Sequence, residues 1–169
     1  MKIVCLCVLM LLAFNVSAQQ TDGEQLRMLM KESKQFFSGL RGKDSLDNDS
    51  NHVYQSKMLL SGTSENTFTI SKDGESFAFF HALIADSISL KGAKKAAQYW
   101  RTLVELNLEG FVEDKSKRKT KGIVMGDTHY SHQFLNTEGK REYSVTITYV
   151  KRYVGDYYLM YLQLGHQRF

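Results

Sequence analysis

The sequence predicts an α+β fold: a curved antiparallel β-sheet of about five to seven strands with two helices packed on it, in the order α-βββ-α-ββββ. Three observations carry that prediction. Leu90, Ala93, Ala97, Trp100, Val104 and Leu108 keep a 3-4 spacing that puts them on one helical stripe. Residues 143–150 alternate, with Tyr143, Val145, Ile147 and Tyr149 on one face and Ser144, Thr146 and Thr148 on the other, the pattern of a half-buried strand. A hydrophobic content of 43% with 24% charged residues in 169 excludes a disordered, collagenous or coiled-coil chain.

The first 18 residues read as an export signal. Lys2 supplies the positive start, Ile3 to Phe14 the apolar stretch, and Val16, Ser17 and Ala18 the cleavage site, leaving Gln19 as the new terminus. The apolar stretch is shorter than the roughly 20 residues a membrane-spanning helix needs. Secretion or delivery to a periplasm is therefore expected, with residues 19–169 as one α+β domain. Cys5 and Cys7 leave with the signal, so disulfides, thiolate nucleophiles and cysteine metal ligands are excluded from the processed chain. Lys2 leaves too, and 21 basic residues then face 18 acidic ones, a mild excess that does not call for a nucleic-acid partner.

The elements follow in order. Thr21 and Glu24 match a capping box, and Leu26, Leu29, Met30, Phe36, Phe37 and Leu40 share a stripe, which predicts a helix over 23–38 stopped at Gly39. Residues 41–51 are polar and aperiodic and are expected to form a loop. Asp47, Asp49 and Asn51 imitate the start of a calcium loop. His52 stands where that loop needs Gly and Met58 where it needs Glu, so the motif fails. Strands are expected over 53–60, 67–71 and 77–84, the last two joined by an Asp73-Gly74 turn. Ser89 is placed to cap the second helix and Gly110 to end it. Beyond it the chain reads as an antiparallel meander: 111–113, a basic loop 115–121, a long strand 123–135 bulged at Gly126, a turn at 136–139, then 143–150 and 157–164. On the last strand Tyr158, Met160, Leu162 and Leu164 are expected to face inward. This element order is similar to that of ketosteroid-isomerase-like cone folds and cystatin-like folds, in topology and without a shared motif.

Three groups of residues are candidates for function. His81 sits in an apolar run, and Asp127 and His129 share a face of one strand, with His132 pointing the other way. Were His81, Asp127 and His129 to converge in a cavity, they would suit acid–base chemistry of the isomerase type. The run Lys115, Lys117, Arg118, Lys119 and Lys121 is a candidate for anionic surfaces. Tyr157, Tyr161 and Gln163 face away from the inward set of the last strand and form a strip suited to a partner or ligand. No Gly-rich phosphate loop and no Gly-x-Ser-x-Gly occurs, and no metal or cofactor is expected. The leading expectation is a non-enzymatic module that binds an unidentified protein or small ligand through its sheet, without specific nucleic-acid recognition. A small acid–base enzyme and an anionic-surface binder are the alternatives.

Overall fold

A computed structural model describes residues 22–47, 50–117, 119–121, 128–152 and 155–168. Helix α1 covers 22–33 and α2 covers Leu90–Asn107. The strands are β1 (Arg41–Asp47), β2 (Asn51–Ser56), β3 (Ser64–Ser71), β4 (Phe77–Ser89), β5 (Val112–Asp114), β6 (Lys119–Lys121), β7 (Thr128–Glu138), β8 (Arg141–Lys151) and β9 (Tyr157–Arg168). They form one nine-stranded antiparallel sheet in the order β1-β2-β3-β4-β9-β8-β7-β5, with β6 also paired to β7. The α+β class is thus correct, but the strand count exceeds five to seven and the order is α-ββββ-α-βββββ. No described helix is long and apolar enough to cross a membrane.

The two added strands lie at the sheet edges. The polar segment 41–47 is β1 rather than a loop. An edge strand has a neighbour on one side only, and charged residues there keep it from pairing with other chains, so it shows no apolar period. At the opposite edge the basic run is not a continuous loop. A single 3₁₀ turn (Lys115–Lys117) leads to β6.

The first helix ends five residues earlier than its stripe suggests. Ser33 is buried, and its hydroxyl donates to the Met30 carbonyl at 2.7 Å, competing with the helical ladder. Phe36 and Phe37 then both take a left-handed φ of 55°. Each such residue costs about 1–3 kcal/mol. Packing offsets this, because the turn aims Phe37 into the core, stacked 4.6 Å from Phe68. Arg41 Nε and Nη2 hold the turn by donating to the Phe36 carbonyl at 2.9 and 2.6 Å.

Helix α2 follows the expected stripe. Ala93, Ala97, Trp100, Leu103 and Val104 are buried, and the Ser89 hydroxyl accepts from the Gly92 amide at 3.2 Å. Its neighbours are β4, β9, β8 and β7. Tyr99 donates to Asp22 and so ties α2 to the start of α1. Burial and this bond raise the Tyr99 pKa. The helix-side face of the sheet is the core: Phe68, Phe80, Val145, Ile147, Met160, Leu162 and Leu164 are all inaccessible to solvent. The Tyr143–Tyr149 alternation and the inward set of β9 stand as expected.

Candidate functional site

Successive side chains of a strand point to opposite faces, so filling the helix side leaves every second residue on the outer face. No described element contacts that face. The strand pairing lines its residues up in rows. One row runs Gln55, Thr67, His81, Gln163, Thr146, Gln133, Asp114 across seven strands, each residue directly opposite the next. All but Asp114 are uncharged at neutral pH. Neighbouring strands lie about 4.8 Å apart, which sets the spacing along the row. Among the described residues, the side chains of Thr67, His81, Gln163, Thr146 and Gln133 make no hydrogen bond within the molecule. Burial lowers the His81 pKa. Its neutral ring offers one donor and one acceptor.

Aromatic side chains flank the row. Phe77 and Phe79 are stacked at 5.9 Å, and the Phe79 ring lies against Gly165 of the neighbouring strand. A Cβ at 165 would sit 2.0 Å from the Ala78 carbonyl oxygen and 2.8 Å from the Phe79 ring. Glycine is therefore required there, and its missing side chain lets the ring lie low on the sheet. On the other side of the row stands Tyr161, opposite Leu83.

Bulges shape the end of this face. Register slips occur at Ser64/Asn66 in the β3–β4 pair and at Leu83/Ala85 and Ala85/Ile88 in the β4–β9 pair. Bulges bend the strand that carries them. Between them lies a depression of about 560 Å³ lined by Glu65, Thr67, His81, Leu83, Leu159 and Tyr161, with the exposed Arg152–Asp86 ion pair on its rim. Glu65, inside the bulge, has a left-handed φ of 49°.

The sequence candidates distribute as follows. His81, Tyr161 and Gln163 meet on this face as direct or diagonal neighbours. Tyr157 lies at the start of β9 and is exposed. His129 is also on the outer face, but it sits opposite Val150, which in turn faces Leu159, whereas His81 faces Gln163. The two histidines are thus three strands and four residues apart, about 20 Å by sheet spacing. Asp127 and Arg118 lie outside the described residues. Lys115 is exposed, and the backbone of Lys119–Lys121 runs beside β7. His132 points to the helix side, where its Nδ1 lies 2.8 Å from Glu113, itself 3.2 Å from Arg101 of α2. No family model, curated protein or solved structure matches this chain. Among the described residues no group of three or more His, Cys, Asp or Glu side chains is arranged to hold a metal.

His166 is the residue that sequence reasoning passed over. It is fully buried on the helix side between Phe36 and Tyr143, with ring centroids 4.9 and 5.6 Å away. Neither ring nitrogen has a hydrogen-bond partner among the described residues. Burial, reinforced by the charges of Arg141 and Arg168, lowers its pKa to about 4, outweighing the Ser33 backbone, which favours the charged form. Extending the inward period of β9 past Leu164 would have found it.

Proposed function

We propose that the protein is an exported, non-enzymatic binding domain that takes its ligand or partner on the outer face of the sheet. One observation carries this reading: the row centred on His81 and Gln163 is uncovered by any described element, and its Thr67, His81, Gln163, Thr146 and Gln133 side chains make no hydrogen bond among the described residues. These half-buried groups are open to water and held at fixed spacing by a paired sheet, so a ligand meeting them finds them already positioned. The acid–base alternative needs His81 and His129 to act on one substrate, and their spacing in the sheet lends it no support.

The test is a fragment screen by NMR on the isotope-labelled protein recovered after export of the full chain. Shifts clustered on the outer residues of β3, β4, β9 and β8 are expected. Shifts confined to the helix side, where Met30, Lys34, Leu108 and Tyr143 line a second groove, would overturn the reading, as would a screen without hits. Intact mass of the recovered chain should begin at Gln19, and retention of residues 1–18 would remove export from the proposal.

A further inference from the structure

The binding face has a chemistry of its own, and we infer that its ligand is a neutral oligosaccharide lying across the strands along the row Thr67, His81, Gln163, Thr146 and Gln133. This inference rests on the outer face being the binding surface. Three features point to it.

The first is the absence of charge. The chain contains 22 basic and 18 acidic residues. Yet the outer positions from Phe77 to Leu83 on β4, Leu159 to Gln167 on β9 and Ser144 to Val150 on β8 include no Lys, Arg, Asp or Glu. A phosphate, nucleic acid, acidic polymer or strongly charged peptide finds no counter-charge at these positions, and at the depression beyond them Arg152 is already paired with Asp86 beside the acidic Glu65. Binding such a ligand would cost its desolvation without return.

The second is the kind of polar group. Hydroxyl, amide and neutral imidazole side chains each both donate and accept. A sugar hydroxyl does the same, so each group on the row can satisfy one on the ligand in either sense. A lipid chain would instead strip water from five polar side chains and give nothing back, at a cost of one to several kcal/mol for each group. The third is the flanking pair of rings. A pyranose has an apolar C–H face and a rim of hydroxyls. Phe79, lowered onto Gly165, and Tyr161 border the row on opposite sides and supply apolar surface beside the polar track. At its β3 end the row enters the depression of about 560 Å³. That lies within the range of about 300–1,000 Å³ typical of small-molecule sites, enough for a terminal sugar unit.

The experiment titrates the exported protein with hexasaccharides of glucose in α-1,4, β-1,4 and β-1,3 linkage and of N-acetylglucosamine in β-1,4 linkage, with hexagalacturonate as the acidic control. At least one neutral hexamer should bind, shift the resonances of Gln163, Thr146 and Gln133, and hold its affinity between low and high salt. Its disaccharide should bind more weakly, because it spans less of the row. The double variant Gln163→Ala, Thr146→Val removes two hydrogen-bonding groups and should weaken binding about tenfold or more. Phe79→Tyr, which keeps the ring, should retain it. Failure of every neutral hexamer, tighter binding of the acidic control, or an unchanged affinity of the double variant would overturn the inference. If fragments still collect on the outer face while sugars fail, the ligand class is wrong and the face stands. If neither collects there, both readings fall together.

Discussion

The two faces of the sheet are made by the same strands, one residue out of step, and they have opposite economies. On the helix side Phe68, Phe80, Ile147, Met160 and Leu164 are sealed from water and interlock with α1 and α2. On the outer side Thr67, His81, Gln163 and Thr146 stay half-buried, packed sideways against their neighbours and open above. Two histidines show the contrast. His166 and His81 both lie on central strands and both have lowered pKa values, but His166 is fully enclosed and falls to about 4, whereas His81 stays partly exposed. A core filled from one side leaves the polar row of the other face half-exposed.

Four measurements would break or sharpen that contrast. The largest effect is expected on the helix side. Trp100 is 3% exposed at the centre of the α2 stripe, and Trp100→Ala should cost about 3–5 kcal/mol in urea melts. Residues 19–169 contain no cysteine to cross-link the fold, so a loss of that size removes much of a typical stability of about 5–15 kcal/mol.

Next comes acid. His166 titrates near 6.5 when unfolded and near 4 when folded, so the folded state resists its protonation. The stability this withholds is fully present above pH 6.5 and drains away as pH falls toward 4, by about 3 kcal/mol at the low end. His166→Leu cannot titrate, and comparing its melts with wild type at pH 7.5 and pH 4.5 should show wild type losing more, by roughly 2–3 kcal/mol. Equal losses in the two proteins would mean that His166 is not the acid-sensitive group.

Smaller still is the cap. Ser89→Ala removes the acceptor for the Gly92 amide and should cost about 1 kcal/mol. The smallest effect belongs to the outer face, where Gln163→Ala and Thr146→Val should each change stability by less than about 0.5 kcal/mol. A loss above about 2 kcal/mol in either would show that the row is structural.

Much of the fold was legible because a single face of a single element leaves a period in the chain. The stripe of α2, the alternation of Tyr143 to Tyr149 and the inward set of β9 each needed no knowledge of their partners. The misses share another cause. β1 is an edge strand without an apolar face to read. α1 ends where Ser33 competes for a carbonyl and two phenylalanines turn left-handed to reach the core, and neither choice has a local signature. β4 runs on to Ser89, past the expected end at 84, and the bulges at 83–88 break the period that would have announced this extension.

The site was legible only in pieces. Tyr161 and Gln163 could be assigned to an outward strip from the alternation of β9 alone. That His81 sits between Thr67 and Gln163, and that Thr146 and Gln133 continue the row, required the register of four strand pairs joining distant parts of the chain. By itself the sequence determined which residues of each strand and helix turn toward apolar surroundings, because burial of apolar side chains acts through a period that each element carries alone. Only the tertiary structure decided which outward residues became neighbours, because register depends on bulges and on chain closure between distant segments. A polar row across a sheet exists only once that register is set.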